Sequence, residues 1–197
     1  MSIQAVLGKD MQEDFIKDVE YLDSIVFPKE LCGTYSSDRK RYLKDKDSYI
    51  LLRESDTLVG YINFFPVSTH LYNHILTSSE IMDDNIIPDD IYLYSKEEPN
   101  RLYILSVVIS PEYQNSNAVN VLANAFIVFL RDKENTGYPI ERLLVSCISE
   151  DGSKLFSRLR FRYEKQLDDN YCLYTCEGSN LKDLLQKGCV RRMTLSV

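Results

Sequence analysis

Residues 104–130, ILSVVISPEYQNSNAVNVLANAFIVFL, decide the fold. The first six are an apolar, largely β-branched run with no solvent alternation, the pattern of a strand covered on both faces. From Ala118 the pattern changes period. Apolar residues then surround most of a helix, and Asn120, Asn124 and Arg131 form its one polar stripe. A strand and a helix that are both buried belong to an α/β core. The polar loop between them, 110–117, follows the C-terminal end of the strand and enters a helix N-terminus, where free backbone N–H groups and the helix dipole favour a phosphate.

Working outward, residues 2–7 read as a first strand, and Asp10 with Glu13 three residues on forms an N-cap signature. The helix that follows carries Phe15, Val19, Leu22 and Val26 on one stripe and ends at Pro28. A more polar helix over 37–44 precedes two strands, 48–54 and 58–65, which the short link Ser55-Asp56-Thr57 makes a hairpin. Residues 66–101 form a long insertion with two short helical patterns, an acidic stretch and no strong strand, and a connection of that length in a compact domain is usually functional. Beyond the decisive segment, Gly137-Tyr138-Pro139 turns into a strand over 142–148, Ser149 caps a short helix, and strands 162–167 and 171–176 close as a hairpin around 168–170. A last helix near 181–187 ends at Gly188, a C-cap position.

The chain has 197 residues, with 23 basic against 30 acidic side chains and a sequence pI near 4.9. That balance argues against non-specific nucleic-acid binding and against an anionic membrane surface, and it suits a cationic or amine substrate. No stretch approaches the roughly 20 apolar residues that span a bilayer, and the first 15 residues lack the basic-then-apolar order of a signal peptide. The expectation is a cytoplasmic protein. Five cysteines without CxxC spacing fit reduced thiols, and no metal site is expected. Cys172 and Cys176, four apart on one strand, share a sheet face as small hydrophobes.

The element order and the loop Gln114-Asn115-Ser116-Asn117-Ala118-Val119 resemble the GNAT acyltransferases, whose loop reads Gln/Arg-x-x-Gly-x-Gly/Ala. Asn117 and Val119 stand at the glycine positions. A second family landmark, Asn-x-x-Ala-x-x-Leu-Tyr closing in Gly-Phe, has its counterpart in Ser149-x-x-Gly152-x-x-Leu155-Phe156 and Arg160-Phe161. The resemblance implies an α/β (α+β) fold with a mixed, mostly antiparallel central sheet and helices on both faces. It assigns residues 1–177 to a GNAT-like domain with its insertion at 66–101. Residues 178–197 are left as a C-terminal helix and tail, packed on the domain or at a subunit interface such as that of a homodimer.

The implied reaction is direct attack of an amine, from a small molecule or a peptide, on the thioester of acetyl-CoA in a ternary complex. In that scheme the backbone of Val107, Val108 and Ile109 pairs with the pantetheine arm at a bulge that opens the sheet, and polarises the thioester carbonyl. Gln114, Asn115, Ser116, Asn117, Ala118 and Val119 wrap the pyrophosphate, and Ser149 and Phe156 complete the cofactor site. The usual base position falls at Tyr103 and the usual acid position at Phe156, so the candidate bases are insertion carboxylates, Glu80 and Asp90, with Asp89 beside them. The alternative is a catalytically silent GNAT-fold protein that binds CoA or a partner.

His70 and His74 are spaced i, i+4 on a helical pattern, without a third ligand at a convincing spacing. They read as ordinary groove or surface histidines, or as shapers of the acceptor site. The run Arg158-Leu159-Arg160-Phe161-Arg162 offers cations for the 3′-phosphate of CoA, although cations at a helix C-terminus also offset its dipole.

Overall fold

The apolar runs become strands of one sheet. The structure, a computed structural model, describes residues 3–78, 86–167 and 171–187. Among the described residues seven strands run in the order β1-β2-β3-β4-β5-β7-β6: β1 is Gln4–Leu7, β2 Tyr49–Glu54, β3 Thr57–Pro66, β4 Asn100–Ile109, β5 Ile140–Cys147, β6 Arg162–Gln166 and β7 Cys172–Glu177. The sheet is mixed and mostly antiparallel, with β4 and β5 as a parallel pair. Among the described residues six α-helices accompany it: α1 Phe15–Val26, α2 Tyr35–Lys44, α3 Thr69–Thr77, α4 Ala118–Asn135, α5 Glu150–Arg158 and α6 Gly178–Lys187. The expected element order is present throughout. Among the described residues two compact units divide the contacts: residues 3–63 and 106–126 form one, and residues 64–78, 86–105, 127–167 and 171–187 the other.

In the first unit, β1, β2 and β3 form an antiparallel meander with a register shift between Leu52 and Arg53. The hairpin turn is tighter than the three-residue link suggests, because Thr57 already pairs with Glu54, and Ser55 takes a left-handed φ of 55° to close it. Tyr49, Leu51 and Tyr61 on one face of this meander pack with Phe15, Ile16, Val19 and Leu22 of α1, with Tyr42 of α2 and with Val108. The expected Asp10/Glu13 cap is not used. Asp10 ends a 3-10 turn, Gly8–Asp10, and α1 starts only at Phe15; the Glu13 carboxylate reaches instead across to Arg39 of α2, 2.9 Å away. Sequence spacing signalled a local bond, and a partner distant in sequence took the carboxylate. On α2, Thr34 and Ser37 form a reciprocal capping box, which sets its start two residues earlier than the polar pattern suggests.

In the second unit, the insertion folds onto the strands next to it. Ser68 caps α3 by accepting from the Leu71 amide, Val67 bridges Ile91, and a 3-10 turn occupies Pro88–Asp90. Leu71, Tyr72, Ile75, Ile86 and Ile91 share a core with Tyr103, Leu144 and Leu173. Asn100 fastens the end of the insertion: its side-chain amide donates to the Ser95 and Pro139 carbonyls, and its oxygen accepts from the Ser95 amide. The tail expected at an interface, including Cys189, Val190, Met193 and Leu195, and the Gly188 cap lie outside the described residues.

Candidate functional site

β4 is buried from Leu102 through Ile104 and then half-buried over Leu105, Ser106 and Val107. The change coincides with the end of its pairing to β5: the parallel register runs from Asn100↔Ile140 to Ile104↔Val145, with its one shift between Asn100 and Arg101. The last residues of β4 therefore offer backbone groups that β5 does not take up. On the other side they are held firmly. Ser110 donates its amide to Val59 O at 2.9 Å, and Gly60 of β3 lies so close that a Cβ there would sit 2.7 Å from Val108 O and from Ile109 Cδ1.

The chain then coils tightly into α4. Successive i to i+3 bonds link Tyr113 N to Ser110 O, Gln114 N to Pro111 O and Ser116 N to Tyr113 O. Ser116 Oγ accepts from the Ala118 amide at 3.1 Å, and the Asn117 carbonyl accepts from the Asn120 and Val121 amides. These bonds leave the amides of Asn115, Asn117 and Val119 out of the network, at the exposed mouth of the turn and the first turn of α4. Among the described residues the only non-glycine positive φ angles are at Ser55 and Arg160, so Asn117 is not left-handed and the loop takes a right-handed path that needs no glycine. Val119 is the second residue of α4, where a β-branched side chain has an allowed rotamer.

Two features limit what this turn offers an anion. Gln114 turns back, its Nε2 donating to Ile109 O at 3.3 Å, and residues 104–130 contain no Lys or Arg. Tyr113 donates to Glu54 Oε2 at 2.7 Å, an anchor that raises the Tyr113 pKa. The residues fit a pyrophosphate through uncommitted amides and the dipole of an 18-residue helix.

The other expected site residues lie in the second unit. Ser149 caps α5, its Oγ accepting from the Gly152 amide at 3.1 Å. Phe156 is 4% exposed, its ring edge-on to Phe161 with centroids 4.9 Å apart. Arg160 adopts a φ of 66° where the family's glycine would stand, and its guanidinium lies 3.3 Å from Asp183. A left-handed arginine costs about 1 kcal/mol against glycine. Arg160→Gly is therefore expected to raise unfolding stability by about that amount in urea titration, and a loss of stability would show that the ion pair outweighs the strain. Arg162 is committed to Glu164 at 2.7 Å, while Arg158 ends α5 in solvent.

Tyr103 is fully buried and donates to Ser146 Oγ at 3.2 Å. Asp90 accepts from the Ile87 amide at 3.0 Å, closing its own turn, and Asp89 is exposed; Glu80 lies outside the described residues. His70 and His74 lie on the exposed side of α3 with rings nearly parallel, centroids 6.4 Å apart. Among the described residues no group of three or more His, Cys, Asp or Glu side chains converges as a metal site. No helix among them is long and apolar enough to cross a membrane.

One charged cluster escaped the sequence reading. Asp23 of α1 is 6% exposed and accepts a short hydrogen bond from the Tyr61 hydroxyl, and beside it Asp38 and Arg41 of α2 form a buried ion pair. Burial pushes the Asp23 carboxyl up to about 7 against the opposing effect of the Tyr61 bond, and burial also raises Asp38. The signal was faint: Asp23 follows Leu22 and lies four residues past Val19, at the edge of the apolar stripe.

No protein-family model matches the chain, and no curated protein matches it in sequence. Solved structures do match in shape. The loading GNATL domain of CurA from Lyngbya majuscula superposes with a TM-score of 0.65 at 15% identity, over 90% of this chain and 98% of that one. A GphF GNAT-like decarboxylase in complex with isobutyryl-CoA gives 0.60 at 8% identity, over 90% and 99%. Arabidopsis thaliana Naa50, bound to the bisubstrate analogue CoA-Ac-MVNAL, gives 0.59 at 10%, over 90% and 100%. With nearly the full length of each chain aligned and so little identity shared, what these similarities carry is architecture, and the fold of this chain is GNAT-like.

Proposed function

We propose that this chain binds an acyl-CoA at the β4–α4 turn and transfers the acyl group, acetyl in the simplest case, to an amine. The observation that carries the reading is the combination at one strand end of the last residues of β4, which lie past the end of its ladder with β5, and the uncommitted amides of Asn115, Asn117 and Val119. Val107, Val108 and Ile109 would pair with the pantetheine arm through their backbone, and residues 114–119 would hold the pyrophosphate by amides alone. The CoA ligands named for the GphF and Naa50 structures support the ligand class.

Ser149 and Phe156 serve this reading by fixing the cap and inner face of α5. Phe156 has no proton to give, so the departing thiolate is protonated by water. A carboxylate of the insertion, Glu80 or Asp90, takes the amine proton through water. The acidic balance of the chain favours a cationic amine as acceptor, on a small molecule or a peptide.

A second reading, a silent CoA-binding protein, is favoured by the buried, uncharged Tyr103 and Phe156 at the usual base and acid positions. Thermal unfolding with acetyl-CoA separates the cases. At about a hundred times its dissociation constant the ligand adds about 2.7 kcal/mol, a rise of several degrees for a chain of this size. No shift at millimolar acetyl-CoA overturns both readings. A shift accompanied by CoA thiol release with a panel of amines supports the transferase, and a shift without release supports the silent binder.

A further inference from the structure

Two of the five cysteines face each other. In the antiparallel register of β5 and β7, Cys147 is the direct partner of Cys172, at the last rung of that ladder. Opposed residues of adjacent antiparallel strands point to the same face, and their Cα atoms lie about 4.5 or 5.5 Å apart according to the hydrogen-bonding of the pair. Both spacings fall within the roughly 4.4–6.8 Å window of a disulfide. The remaining described cysteines lack this relation: Cys176 stands opposite Leu143, and Cys32 lies after α1 in the other unit with its thiol toward the Pro28 carbonyl.

We propose that Cys147 and Cys172 are a disulfide-forming pair, reduced in this structure and closed by a peroxide. Exposure sets the order of events. Cys172 is half-buried and the more exposed of the two, whereas Cys147 is buried, close to Ser153, with burial pushing its thiol up to about 12. The Cys172 thiolate attacks hydrogen peroxide, giving Cys172 sulfenic acid and hydroxide. The Cys147 sulfur then attacks the sulfenic sulfur, the S–S bond forms, and water departs with the Cys147 proton. The balance is two thiols and one peroxide to one disulfide and two waters.

Position gives the pair a consequence. Ser149, the cap of α5, lies two residues past Cys147, and α5 and β6 together fill the segment between the two cysteines. Oxidation would close that segment into a loop and tie the start of α5 to the start of β7. This inference does not depend on the acyl-CoA reading.

The test uses the whole chain. After brief treatment of the native protein with stoichiometric hydrogen peroxide, two of the five thiols are expected to disappear. The intact mass should fall by about 2 Da and a non-reducing digest should join the Cys147 and Cys172 peptides, all reversed by dithiothreitol. Phenylarsine oxide, a dithiol reagent, should bind the reduced protein one to one and fail to bind Cys172→Ala. A crosslink involving another cysteine, oxygen added to Cys172 without loss of the Cys147 thiol, or arsenical binding undiminished in Cys172→Ala would each overturn the proposal. Because the mass and peptide map are read on the wild-type chain, a misfolded variant does not affect the decision.

Discussion

Asp23→Asn is expected to be more stable than wild type at pH 8 and to lose that advantage by pH 4. The Asp23 carboxyl is raised from 3.8 to about 7 in the folded chain, with burial as the largest cause. The native state therefore keeps a proton that the unfolded chain releases above about pH 4. Stability linked to this proton is fully present below the unfolded value and is lost as pH rises through 7. About three pKa units correspond to on the order of 4 kcal/mol between pH 4 and pH 8. Asparagine is neutral across this range and keeps an oxygen to accept from Tyr61, so its stability should lack that slope. Asp38 and Arg41 are present in both proteins, and the difference between the two curves isolates Asp23. Urea unfolding of both proteins at half-unit pH steps measures it, and parallel curves would sink the assignment of a buried, protonated Asp23.

Gly60→Ala should damage both the sheet and the candidate ligand site. The added Cβ would lie 2.7 Å from Val108 O, a backbone atom that can move only if β4 moves. Overpacking of this kind costs about 1–3 kcal/mol. The displaced residues include Val108 and Ile109, whose backbone is proposed to pair with the pantetheine arm, so the stabilisation by acetyl-CoA should shrink along with the basal stability. Gly137→Ala is the control for lost flexibility, since Gly137 has a φ of 90° but its nearest neighbour, Lys96, is 3.9 Å from the added Cβ. An undiminished acetyl-CoA shift in a folded Gly60→Ala protein would remove the end of β4 from the site.

The departures from the family's loop have a physical account that only coordinates supply. Asn117 and Val119 look disruptive where glycines are expected, yet the turn winds through i to i+3 bonds and never enters the left-handed region. The demand for that region falls instead on Arg160, at the other landmark, where an arginine replaces glycine. Backbone angles depend on how a turn joins its flanking elements, and residue type only makes them cheap or costly.

What the sequence determined by itself was the order and period of the elements: the buried strand and helix of 104–130, the hairpins, the Ser149 cap and the helical start of the insertion. Hydrophobic period and capping chemistry are local, so they are legible one segment at a time. The tertiary structure decided what depends on partners distant in the chain. It drew Glu13 away from its capping position to Arg39, buried Asp23 against Tyr61, and turned Gln114 back onto Ile109. It also set Cys147 opposite Cys172 and ended the β4–β5 ladder at Ile104. Each of these is a choice among competing hydrogen bonds or registers, and the winner is fixed by packing that no single segment contains.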